Sequence, residues 1–235
     1  LIRGPSDSVL HSPLALLDTA ERYGQLHILE ALCHEAIVNS YARRGFPGKL
    51  FVKVNPVSYM HRDYKKDKLS KLIKKYDLSS QVIIELSEHR VTGRHQNMTE
   101  AAAHFHDLGC AIAIDHLTPQ YSSLHFISKL QPEHIKIDKH YVQELHKDEL
   151  KFNFLQSIQS LAVAINATII PVGVETADEF KGIIKIGINH AQGFYFSRPV
   201  SHPIVELDEK LFITFPNTIT HQKTHSRKIA IITKS

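Results

Sequence analysis

Acidic, basic and amide side chains gather at the ends of short apolar runs in this sequence. Lys53 and Asn55 close the run Leu50–Val54, Glu85 lies near the end of Val82–Leu86, and Asp115 follows Ala111–Ile114. Lys136 and Asp138 end His134–Ile137, Glu175 follows Thr168–Val172, and Gln192 precedes Gly193–Phe196. In an α/β barrel the strand ends converge on the face that carries the active site, whereas a doubly wound sheet gathers polar ends only around one switch point. Strands commonly exit into polar residues, which accounts for part of the set. Carboxylates and lysines at successive strand ends still mark this face as the place for chemistry.

A second chemical candidate is the set of 17 histidines. Imidazole titrates near pH 6.5, where about half of them would be charged, so a metal store or a pH sensor is conceivable. His11, His27, His34, His61, His89, His95 and His125 are scattered singly, without the repeated spacing of a ligand set. They read as solvated surface residues.

The elements that position the strand ends follow from periodicity. Ser12 and Pro13 open a helix that runs to about Gly24, and a second spans about Leu26 to Arg43, before Gly45. Thereafter the six apolar runs recur every 20–35 residues, separated by amphipathic segments near 66–76, 97–108, 122–130, 150–166 and 176–187. Strand alternating with helix signals a parallel sheet, and the runs read as strands buried on both faces. Six such units suit an eight-stranded barrel better than a small open sheet.

Composition narrows the class of protein. With 43% hydrophobic and 22% charged residues, 235 residues can build one large globular domain. A net charge of +4 is too small to imply a nucleic-acid polymer as partner. No run approaches the ~20 apolar residues of a membrane span. Two cysteines, Cys33 and Cys110, suit a reducing, cytoplasmic compartment. The opening Leu-Ile-Arg-Gly-Pro has no signal-peptide character and reads as the inside of a larger protein.

Six motifs then occur in order: Leu1–Pro5 (LIRGP), Ile84–Glu88 (IELSE), Ala113–His116 (AIDH) with Tyr121–Leu124 (YSSL), Ile135–Asp138 (IKID), Gly173–Thr176 (GVET) and Gln192–Pro199 (QGFYFSRP). Together they resemble the EAL-domain family, the cyclic di-GMP phosphodiesterases, over residues 1–207. The resemblance implies a TIM-like (β/α)8 barrel with one antiparallel strand, leaving 208–235 as a C-terminal extension or linker. It also implies two divalent cations, Mg²⁺ or Mn²⁺, that activate a water beside the scissile phosphate. Carried over by position, Glu85 and Asp115 fall on metal ligands, and Lys136 on the lysine at the attacking water or phosphate. Glu88 and Glu175 fall on supporting carboxylates, Arg3 on the arginine that holds the nucleotide, and Gln192 with Gly193 on the pocket floor. The family's naming glutamate would lie upstream of Leu1.

The departures from the family pattern bear most on function. His116 stands in place of the second aspartate of the Asp-Asp pair. Leu117-Thr-Pro-Gln120 replaces the flexible Phe-Gly-Thr-Gly loop, so both glycines are gone and a proline stiffens it. Val172 takes the place of the glutamate that serves as ligand or base, and valine does neither. Two registers are open for the asparagine ligand. One puts Lys53 there and also aligns Pro56 and Ser58; the other puts Asn55 there. In the first, an ammonium sits among Glu85 and Asp115 in place of a cation. His116 as a ligand for a transition metal is a further option.

The expected protein is therefore a degenerate EAL domain without catalysis, a cyclic di-GMP receptor or a regulatory, protein-interaction module in bacterial second-messenger signalling. It would need no cofactor, and Arg3, Lys53, Lys136, Glu175, Gln192 and Gly193 would line the ligand site. A homodimer or a partner protein is expected. The alternative is an active metal-dependent phosphodiesterase that opens cyclic di-GMP to linear pGpG.

Overall fold

Capping residues fix where the helices start. The Ser12 side chain accepts a hydrogen bond from the Ala15 amide and Pro13 occupies the first turn of α1 (Pro13–Arg22). Helix α2 (Leu26–Arg44) stops at Gly45, whose φ of 58° is left-handed. The computed structural model describes residues 4–46, 48–59, 61, 66–87, 95–117 and 127–200. Arg3, Glu88, the segment 118–124 and the extension 208–235 lie outside them.

Two compact units emerge among the described residues. The first takes in residues up to Asp115 with 127–132; the second holds His116, Leu117 and 133–200. In the first, β1 (Leu50–Val54), β2 (Val82–Ser87) and β3 (Ala111–Leu117) pair in parallel, with Lys53 opposite Glu85 and Ser87 opposite Asp115. Helices α3 (Pro56–Tyr59), α4 (Lys66–Lys75) and α5 (His95–Asp107) lie between them in sequence. Met98, Ala101, Ala102 and Phe105 of α5 are buried at i, i+3, i+4 and i+7, one helical face. Helix α4 buries Leu69 and Ile73 and turns Lys71, Lys74 and Lys75 to solvent.

In the second unit β4 (His134–Ile137) pairs in parallel with β5 (Thr168–Pro171), Lys136 opposite Ile170. Helix α6 (Glu149–Ala164) begins at Asp148, which caps the Lys151 amide, and α7 (Ala177–Ile186) ends at Gly187 in a left-handed turn. The architecture is α/β with parallel strands, as the alternating pattern requires. The antiparallel strand implied by the resemblance is not among the described pairings.

Two sequence expectations need correction. Gly193–Phe196 is not a strand: Gln192 makes a single bridge to Val172, and the chain then turns. The Phe196 amide donates back to the Gly193 carbonyl at 3.2 Å, and the rings of Tyr195 and Phe196 pack on Phe180 with centroids 5.6 and 5.2 Å away. The aromatic run serves a core contact instead of a ladder. Nor are the histidines all on the surface. His27 and His34 are buried with Val38 and Tyr41 along one stripe of α2.

His34 has a structural duty at the site-bearing strand. Burial pushes its imidazole below the ordinary value, outweighing a backbone hydrogen bond that raises it. The neutral ring sets Nε2 2.7 Å from the Lys53 carbonyl and, because a carbonyl only accepts, Nε2 carries the proton. A group whose folded value is depressed supplies stability above its unfolded value and loses it as pH falls. The protein should therefore lose stability from about pH 6.5 downward, and His34→Gln should flatten that fall. Urea midpoints for both forms across this range check it; parallel slopes would remove His34 from the account.

Candidate functional site

In the first unit the register of the parallel ladder decides which side chains meet. Lys53 and Glu85 are direct neighbours on β1 and β2, and Asp115 stands two residues beyond Ala113, the partner of Glu85 on β3. A side-chain period of two puts all three on the same face. Val52, Val54, Ile84, Leu86, Ile112 and Ile114 take the opposite parity and are buried.

The lysine closes the arrangement. Its stem leans across two strand spacings, about 10 Å, and sets Nζ 2.9 Å from Asp115 Oδ2. The two ends differ in exposure: the Lys53 side chain is 53% exposed and that of Asp115 only 4%. Glu85 is buried as well. Asn55 lies past the end of β1, where its carbonyl accepts the Tyr59 amide at 2.9 Å and so begins α3. His116 belongs to β3. The structure thus brings Lys53, Glu85 and Asp115 together on one face.

In the second unit Lys136 is 1% exposed on β4. The Gln192 peptide ties down the chain after β5. Its N–H donates to the Pro171 carbonyl at 2.9 Å, and its carbonyl accepts from Gly173 at 2.7 Å and Val174 at 3.1 Å. Gly173 has φ +85°, and a Cβ there would meet Lys139 Cβ at 2.6 Å. A Cβ on Gly193 would overlap the Val174 backbone. Gly173 needs glycine for its left-handed φ and the Lys139 side chain beside it, and Gly193 because backbone packs where a side chain would be. The Gln192 side chain is buried, and its Oε1 has no hydrogen-bond partner among the described residues. Val172 pairs with Gln192 in the bridge.

Glu179 was not singled out from the sequence, yet it organises this half. Its Oε2 accepts the amides of Glu175 at 2.8 Å and Thr176 at 3.0 Å, and its Oε1 the amide of Glu144 at 3.0 Å. Burial raises the carboxyl, but the amides of Glu175, Glu144 and Thr176 together with the Thr176 hydroxyl outweigh it and hold Glu179 below its usual value. The signal was present as Thr176-x-x-Glu179, a capping box before an apolar run.

With this geometry in place, comparison with known proteins decides the family. The profile of the EAL domain matches residues 2–199. The chain belongs to the EAL domain family. Cyclic di-GMP phosphodiesterase PdeR of Escherichia coli is 31% identical over 117 residues, half of this chain and 18% of PdeR. This EAL domain spans less than a quarter of the length of PdeR and of two further relatives. Among solved structures, a standalone EAL protein from Vibrio cholerae in its cyclic di-GMP-bound form aligns with a TM-score of 0.76 at 18% identity, covering 90% of this chain and 88% of that one. BlrP1 from Klebsiella pneumoniae, in a complex with manganese and cyclic di-GMP, aligns at 0.71 and 27% identity, covering 84% and 50%. The fold is therefore that of the EAL barrels.

Does the face of this EAL domain suit a divalent cation? An ammonium 2.9 Å from Asp115 Oδ2 and a divalent cation on the same oxygen would repel at close range, so the arrangement does not fit a metal there. Among the described residues no three His, Cys, Asp or Glu side chains are grouped to hold one.

Lys53→Ala would leave the Asp115 carboxylate without this partner. Because the ammonium is half exposed, the expected loss is modest, about 1–2 kcal/mol by denaturant titration. Asp115→Asn in the Lys53→Ala background should recover part of it, the coupling expected of a direct pair. Additive effects of the two changes would mean the pair contributes nothing.

Proposed function

We propose that this EAL domain works in cyclic di-GMP signalling as a binding or regulatory module, and that it has exchanged metal-dependent hydrolysis for recognition of the dinucleotide. The observation that carries the reading is the 2.9 Å pair between Lys53 and Asp115. In the family pattern Asp115 falls on a metal ligand, and Lys53 falls on the ligating asparagine in the register that also aligns Pro56 and Ser58, the other register placing Asn55 there. Here the positive charge belongs to the chain itself.

Two further positions support the reading. Val172 stands where the family places a glutamate base or ligand, and a valine moves no proton. His116 stands where the second aspartate of the pair belongs. The sequence also retains, at family positions, groups that suit a phosphodiester dinucleotide. Lys53 and Lys136 offer positive charge, and Glu175, Gln192 and Gly193 stand at positions that line the family's ligand pocket. The Oε1 of Gln192, without a hydrogen-bond partner among the described residues, is an acceptor that a ligand N–H would complete. Arg3 falls on the arginine that holds the nucleotide. The domain acts through conformation or a partner protein, as a homodimer or in a larger chain, in the cytoplasm, with residues 1–207 as the barrel and 208–235 as an extension or linker.

The competing reading is an active phosphodiesterase using Mg²⁺ or Mn²⁺. It draws on Glu85 and Asp115, which keep their carboxylates on one face, and on relatives such as PdeR that are named for that activity. Calorimetry with cyclic di-GMP, in chelator and then with either metal, separates the two. The receptor reading expects micromolar or tighter binding in chelator and no linear pGpG after long incubation with metal. Metal-stimulated conversion would establish the enzyme, and absence of binding in every condition would exclude the receptor.

A further inference from the structure

The carboxylate of Glu179 joins two stretches of chain that are remote in sequence. One is the Glu175–Thr176 corner at the start of α7; the other is Glu144, which stands at φ +55° before the 3-10 turn Leu145–Lys147. A non-glycine residue in the left-handed region is held there by its surroundings. The Glu144 amide has been turned onto Glu179 Oε1, while Oε2 receives both amides of the corner. A capping box needs only the bonds between Thr176 and Glu179. The bond to Glu144 is an addition to it, 35 residues away in sequence.

We infer that Glu179 is a positioning residue: it sets the Glu175 corner for ligand and locks that corner to the Glu144 turn, so that both order together. The inference rests on the preceding reading of Glu175 as a pocket residue. Gly173 and Gly193 pack the same segment closely, against Lys139 and the Val174 backbone. The corner is therefore closely packed, and Glu179 holds its two amides. A carboxylate is required, because three amides on two oxygens need an acceptor at both. A glutamine would present its NH₂ to at least one of them.

The test uses Glu179→Gln, with Lys181→Ala as control for loss of the ion pair that Lys181 makes with Asp178 on the same helix. Hydrogen exchange at the amides of Glu144, Glu175 and Thr176 is read together with calorimetry of cyclic di-GMP. In Glu179→Gln the three amides should exchange at least about tenfold faster while the amides of β4 and β5 stay protected, and affinity should fall about tenfold. The control should change neither. Unchanged exchange at Glu144 would overturn the link between the two segments. Faster exchange with undiminished affinity would reduce Glu179 to a helix cap. If the unsubstituted chain binds no dinucleotide, the receptor reading fails on its own, and exchange at Glu144 and Glu175 still decides whether one carboxylate orders both. A Glu179→Gln chain that does not fold, by circular dichroism, would also overturn the inference, since a positioning residue leaves the fold intact.

Discussion

A buried carboxylate keeps its charge only with a positive partner or several donors, and at Asp115 a lysine supplies that partner from two strands away. Much of the first unit serves this contact. The parallel register aligns Lys53 with Glu85, the two-residue period turns Asp115 to the same face, and His34 anchors the carbonyl of the lysine from α2. A lysine carries its charge on a flexible stem, so a half-exposed Lys53 can reach a carboxylate that is itself enclosed. A charge fixed to the chain does not dissociate, and this separates such a site from one that waits for a metal.

The second unit holds its groups by backbone rather than by charge. The Gln192 peptide bonds to three peptide groups between Pro171 and Val174, and the adjacent Gly193 allows the chains to approach that closely. Glu179 continues the same device with three amides on one side chain. Amide donors on a carboxylate act at short range and are directional, which suits a segment that must keep one shape. Val172 sits within this frame as an apolar member of the bridge.

Most of the fold was legible because its elements obey single periods. Leu50–Val54 and His134–Ile137 are strands at the residues expected, and the helices expected near 66–76, 97–108, 150–166 and 176–187 agree to within a few residues, while the segment near 122–130 lies largely outside the described residues. The reading failed where tertiary contacts override local pattern. Phe194-Tyr195-Phe196 looks like a strand by residue type, but a turn puts Tyr195 and Phe196 on Phe180. His27 and His34 looked solvated when taken singly; only the steps of seven, four and three residues that link them to Val38 and Tyr41 disclose a buried stripe. Of the site, the convergence of Lys53 with Asp115 could be anticipated from motif positions, whereas the role of Glu179 needed Glu144, which no local motif connects to it.

The central claim is that the Lys53 ammonium takes the place of a cation on this face. Manganese binding followed by electron paramagnetic resonance, on the unsubstituted chain and on Lys53→Asn, tests it most directly. The account predicts that the unsubstituted chain leaves Mn²⁺ in solution and that Lys53→Asn gains a bound ion, lost again on Asp115→Asn. Equal Mn²⁺ binding by the unsubstituted chain and the Lys53→Asn variant would contradict it.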